Sequence, residues 1–295
     1  MDKLLIIGVG SPSDLAQLQS TRIDGKDIIT YIHDQGVKVY QHPSNEKHLT
    51  TSIHRTTQDA LGYARDAVRL RDLGYAVATV LVGGLAFAMP GVFAAEAYNI
   101  PVIAVPMDND AFYNVYKIPD GTAVGVVHPD PVNSGNLAKA VKIVSKMLQF
   151  PQWGAVNFMV RGKCPSADSV RSLLEHLVGS VNIVSPTEPR YDGVTVYLAD
   201  TLGSTTLGVG FSDVDRRVEL GIFGLEKTVG TEIMVLPIRT LNKSVIVGRP
   251  PNLALLAARV AGIADDKVAK KLQEYRINEA EKYPLRVRMT REHFQ

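Results

Sequence analysis

Near the start of the chain stands Leu4-Leu5-Ile6-Ile7-Gly8-Val9-Gly10-Ser11-Pro12-Ser13-Asp14. A continuous apolar run of this length reads as a strand buried on both faces, as in a parallel sheet with helices on either side. The Gly-Ser-x-Ser-Asp that ends it reads as a turn into a helix. Glycines and small hydroxyls let backbone N–H groups approach a phosphate, and Asp14 is placed to accept from sugar hydroxyls. Ser13 and Asp14 also suit a helix N-cap that needs no ligand. Two later stretches have the same character. Ser52-Ile53-His54-Arg55-Thr56 opens a helix, and Arg55 can give a two-pronged charged contact. The apolar run Ala76 to Val82 leads into Gly83-Gly84-Leu85-Ala86-Phe87-Ala88-Met89-Pro90-Gly91. Gly83 and Gly84 would offer backbone N–H groups, or would only permit a tight turn.

The surrounding chain alternates strand and helix patterns. Strands are expected at Val37 to Tyr40, Pro101 to Val105 and Ala123 to Val127. Helices are expected at Ser13 to Gln35, broken near Asp24-Gly25, then at Thr57 to Leu73, Pro90 to Tyr98 and Ser134 to Leu148. This alternation predicts an α/β fold: a three-layer sandwich around a parallel sheet of flavodoxin-like type. Ligands of such sheets bind beyond the carboxyl ends of the strands, where all three loops fall. A boundary is expected at Phe150-Pro151-Gln152-Trp153-Gly154, dividing the chain into domains 1–150 and 151–295. Beyond it, Ala155 to Val160, Val181 to Val184, Val194 to Ala199, Glu232 to Leu236 and Ser244 to Val247 read as strands. Ser166 to Val178, Asn252 to Ile263 and Asp265 to Lys282 read as helices.

The chain has 295 residues, enough for two cores, with 45% hydrophobic and 21% charged residues. A net charge of +2, with no dense basic cluster, gives no nucleic-acid surface. The apolar stretches are broken by glycines and loop signals, so no membrane span is expected. The first residues lack the pattern of a secretory signal. The single cysteine, Cys164, cannot form an internal disulfide, and no Cys/His cluster suggests zinc. A reducing cytoplasm is the expected location.

From about Lys3 to Ile143 the chain resembles the aminoimidazole ribonucleotide (AIR) carboxylase and N5-carboxyaminoimidazole ribonucleotide mutase family. The likeness is carried by the three loops, by Ile100-Pro101-Val102-Ile103-Ala104-Val105-Pro106, and by Lys117-Ile118-Pro119-Asp120-Gly121-Thr122-Ala123-Val124. The resemblance implies a ribonucleotide substrate with CO2 or bicarbonate, no organic cofactor and no metal. It implies that Gly10, Ser11 and Asp14 hold the ribose and nearby phosphate, with Ser13 supporting their loop. Ser52 and Arg55 would bind the 5′-phosphate, and Gly83 and Gly84 would line the carboxylate pocket. The family's Gly-Gly loop carries a proton-transfer histidine, and here Phe87 stands at or next to its place. His54 is then the first candidate to move the proton, followed by His42, His48 and His128. A phenyl ring could instead stack on the base of a different nucleotide. The chain also inserts about eleven residues, Gln41 to Thr51, before Ser52.

Val245-Ile246-Val247-Gly248-Arg249-Pro250-Pro251-Asn252-Leu253-Ala254-Leu255-Leu256-Ala257-Ala258-Arg259-Val260 is similar to the family's last strand, Gly loop and Asn-led helix. A similar helix has already begun at Asn133. This implies a tandem duplication in which the second copy has lost its loops: Arg161-Gly162-Lys163-Cys164-Pro165-Ser166-Ala167-Asp168 is only an echo of the first. Single-domain members form octamers, so a duplicated chain is expected to form a homotetramer of pseudo-octameric shape. The apolar faces of Leu137, Val141 and Val144 and of Leu253, Leu256 and Val260 are expected at its contacts.

Overall fold

The computed structural model describes residues 1–40, 57–84, 87–116, 118–127, 135–149, 155–161, 163–184, 194–201, 204–211, 244–246 and 249–282. The expected strand Glu232 to Leu236 lies outside them. In the N-terminal half, β1 (Lys3–Val9), β4 (Lys38–Val39), β5 (Ala76–Gly83), β6 (Val102–Pro106) and β7 (Gly125–Val126) alternate with helices. These helices are α1 (Pro12–Ser20), α2 (Ile28–Asp34), α3 (Thr57–Asp72), α4 (Met89–Glu96), α5 (Asn109–Tyr116) and α6 (Gly135–Gln149). Helix α5 was not anticipated. The break expected at Asp24-Gly25 is a small hairpin of β2 (Arg22–Ile23) and β3 (Lys26–Asp27). Both turn residues take positive φ, 51° at Asp24 and 81° at Gly25, a pairing that Asp-Gly tolerates well.

The strands run β4-β1-β5-β6-β7, all parallel. Numbered by sequence, that is the order 2-1-3-4-5 of a doubly wound sheet. Side chains alternate between two cores, as a strand buried on both faces requires. Leu5, Ile7 and Val9 of β1 join one core with α1, α2 and α6; Leu4 and Ile6 join another with α3, α4 and α5. This is the expected three-layer arrangement.

The C-terminal half contains β8 (Val156–Arg161), α7 (Ala167–Val178), β9 (Asn182–Ile183), β10 (Val194–Thr201), β11 (Ser204–Phe211), β12 (Ser244–Ile246), α8 (Pro250–Ala261) and α9 (Asp266–Lys282). Its strands continue the same sheet, in the order β7-β12-β11-β10-β8-β9. The expectation of a parallel sheet needs correction here. Only two residues separate β10 from β11, so the pair forms an antiparallel hairpin, because a parallel crossover needs a dozen residues or more. Contacts β11–β12 and β12–β7 are antiparallel as well, while β8 pairs in parallel with β9 and β10. Among the described strands, and read from its far edge, this half also has the order 2-1-3-4-5, with β12 beside β7.

A second correction concerns the apolar stripes assigned to contacts between subunits. Leu137, Val141, Val144, Leu253, Leu256 and Val260 are all at most 1% exposed within the single chain. Helix α6 spends its stripe on β1, β5 and β6, and α8 on β10, β11 and α7. No described helix is long and apolar enough to cross a membrane.

Candidate functional site

The carboxyl ends of β1, β5 and β6 meet at one edge of the sheet. Gly10 donates its N–H to the Val82 carbonyl at 2.8 Å, and Met107 donates to the Gly83 carbonyl at 3.0 Å. These bonds extend the strand pairing by one residue and draw the turn after β1 against the glycine pair after β5. A Cβ on Gly10 would lie 3.3 Å from Asp14 Oδ2 and 3.5 Å from the Gly83 Cα. A side chain here would crowd the Asp14 carboxylate by a few tenths of an ångström, so glycine suits the turn.

Within the turn, the hydroxyls of Ser11 and Ser13 lie 2.7 Å apart, and Ser11 donates to Asp14 Oδ2 at 2.7 Å. Ser11 is the N-cap of α1 and accepts from the Asp14 N–H. The capping role open to Ser13 and Asp14 thus falls to Ser11. Asp14 is 7% exposed, and its carboxyl is raised from the usual range mainly by burial, with Asp108 adding like-charge repulsion; bonds from Ser11 oppose the rise.

Asp108 was not foreseen. It follows β6, and its Oδ1 accepts from the Ala111 N–H at 2.7 Å, capping the first turn of α5. The signal was present as Asp108-Asn109-Asp110 after a strand ending in proline, had α5 been recognised. A Cβ on Gly84 would lie 2.6 Å from Asp108 Oδ2. Gly84 thus gives way to this carboxylate, which adds a second acidic group to the edge.

Phe87 is only 4% exposed and belongs to the core with Phe93, Ala111, Phe112 and Ile118. Its ring lies on Gly83, where a Cβ would come within 2.6 Å of Phe87 Cδ2. The ring is therefore packed inside the protein, where it offers little surface to a ligand base. Gly83 is small because this ring covers it.

The structure brings together Gly10, Ser11, Ser13, Asp14, Gly83 and Gly84, and adds Asp108. Ser52, His54 and Arg55 lie outside the described residues, as do His42, His48 and His128. Helix α3 does begin at Thr57, directly after the Ser-x-His-Arg-Thr motif. Cys164 is buried.

A parallel 2-1-3-4-5 sheet with a Gly-Ser-x-Ser-Asp turn at its carboxyl edge defines a doubly wound α/β protein with the ligand edge of that class. Residues 4–149 of the chain match the AIR carboxylase family. No curated protein matches the chain.

Proposed function

We propose that this protein is an enzyme of the AIR carboxylase or N5-carboxyaminoimidazole ribonucleotide mutase type. The observation that carries the reading is the Ser11-Ser13-Asp14 cluster packed against Gly83-Gly84 in the half that matches the family. Ser11 and Asp14 hold the ribose, with Ser13 beside them, while Ser52 and Arg55 take the 5′-phosphate. Gly83 and Gly84 flank the CO2. The imidazole C4 forms a bond to the CO2 carbon and loses its proton to a base, for which His54 is the candidate. No metal or organic cofactor is required by this route. The decisive assay incubates purified protein with AIR plus bicarbonate, and separately with the N5-carboxylated ribonucleotide, and follows formation of the C4 carboxylate. Turnover lost in His54→Ala supports the reading; binding without turnover rejects it.

Phe87 favours a second reading, a nucleotide-binding paralogue without catalysis, because the loop that carries a histidine in the family here sends its ring into the core. The same assay separates the two.

The duplication belongs to this proposal too. It is supported by the 2-1-3-4-5 order of the described strands on both sides of the β7–β12 join, and by α8 lying on β10 as α6 lies on β5. Four such chains would supply the eight domains of a pseudo-octamer. Light scattering tests this: a mass near four chains is expected, and a stable monomer would remove the tetramer.

A further inference from the structure

We infer that the cleft between α3 and α9, at the end of the sheet away from the candidate site, is a second ligand site that takes a nucleoside monophosphate. It has a volume of about 360 Å³, within the range of small-molecule sites. Tyr98 lies in its wall just ahead of β6, whereas Gly83 and Gly84 follow β5, so the two sites occupy opposite ends of parallel strands. From Thr57 to Arg69 helix α3 rises about 18 Å at 1.5 Å per residue, which separates the cleft from the motif that precedes the helix.

The charges of the cleft select an anion. Arg65 and Arg69 of α3 and Arg276 of α9 line it, against the carboxylates of Glu96 and Asp72. Glu96 is shared, 2.9 Å from Arg65 Nε and 3.6 Å from Arg276 Nη2, so one carboxylate serves two guanidiniums that retain other donors. Arg69 is exposed and forms no ion pair among the described residues. Behind the wall, Arg259 is fully buried, has no carboxylate partner among the described residues, and feels the like charge of Arg276. A phosphate in the cleft would answer this excess of fixed positive charge with charge-assisted bonds.

The rest of the wall suits a nucleoside. Leu73, 65% exposed despite its size, and Val68 offer an apolar surface to a base. The Arg276 guanidinium lies 4.9 Å from the centre of the Tyr98 ring. Asp72 makes no ion pair among the described residues and can accept from ribose hydroxyls or an exocyclic amine. Such a ligand would bridge the N-terminal half, through α3, to the C-terminal half, through α9.

Calorimetric titration of the full chain with adenosine monophosphate tests this, with adenosine and inorganic phosphate titrated as its two parts. Saturable binding of the nucleotide is expected, at least tenfold tighter than either part. Arg69→Ala should weaken it at least tenfold and Arg69→Glu should abolish it, with the circular dichroism of both variants unchanged. Arg55→Ala, at the candidate site, should leave it intact. The inference is overturned if the parent shows no saturable binding, if Arg69→Glu binds as the parent does, if adenosine binds as tightly as its phosphate, or if Arg55→Ala alone removes binding.

Discussion

If Asp14 holds the ribose as proposed, ligand and fold make opposite demands on it. Burial raises its carboxyl above the ordinary value of 3.8, so the folded chain holds this proton more tightly than the unfolded chain does. The stability gained from that proton is complete below 3.8 and is lost as pH rises through the higher folded value. At neutral pH the carboxylate is therefore a cost to the fold, kept in place by the Ser11 hydroxyl. Asp14→Asn should be more stable than the parent at pH 7, with a flatter stability profile above pH 3.8 in urea titrations, and should bind ribonucleotide less well. Phe87 makes the converse case. Phe87→His would bury an imidazole in an apolar core, costing roughly 1–3 kcal/mol of stability if its nitrogens find no partners. It should confer no carboxylation on a protein that lacks it, because the side chain at this position is buried in the core; an active Phe87→His protein would show otherwise. Arg55→Ala should weaken binding of the aminoimidazole ribonucleotide at the candidate site about ten- to a hundredfold, the loss of a charge-assisted contact worth roughly 1.5–3 kcal/mol, read by titration with that ligand.

Among the elements, α8 ties the two halves together. Its buried Arg259 donates to the carbonyls of Ala123 at 3.0 Å and Ala94 at 3.1 Å, and Asn252 donates to the Pro119 carbonyl at 2.9 Å. Ala94 lies near the carboxyl end of α4, where a cation meets the negative end of the helix dipole. Burial, with the like charge of Arg276, pushes Arg259 down to about 9, so it stays charged at neutral pH. Arg259→Ala strands both carbonyls at roughly 1–3 kcal/mol each and opens a cavity. Arg259→Met, which keeps the apolar stem and removes the charge, should lose less, a difference that urea midpoints would show. The sequence announced α8 by its alanine and leucine spacing, and most other elements by unbroken apolar runs. Helix α5 escaped because only eight residues carry its pattern, and β11 because Gly208 and Gly210, interleaved with Leu207, Val209 and Phe211, weaken its strand signal. The turn at Gly10–Asp14 was legible because its residue types are local requirements. The burial of Phe87 and the place of Asp108 were not, since each depends on which strand end lies beside it.

At the scale of the molecule, one sheet crosses the boundary between residues 1–150 and 151–295, and this sets how the halves depend on each other. The apolar faces of α6 and α8 contribute to a single core that also includes residues of β1, β5, β8 and β10. Arg71 of α3 reaches the Gly262 carbonyl at 3.1 Å and Asp266 at 2.7 Å, a link that adds to those from Arg259 and Asn252. A chain cut after residue 150 would bare the edge of β7 and the surfaces that α8 covers, leaving an open strand edge beside exposed apolar side chains. Residues 1–150 alone should therefore aggregate or associate with themselves. Co-expressed residues 151–295 should recover a 1:1 complex on size exclusion, with β12 and α8 restored to their places. If the two halves arose as copies of one domain that once paired with itself, the first half expressed alone should form dimers rather than disordered aggregates, because the surface that meets β12 and α8 would still accept its own kind. A monomeric 1–150 fragment with a sharp unfolding transition would reject both expectations at once and would make the second half an appendage to a self-sufficient domain.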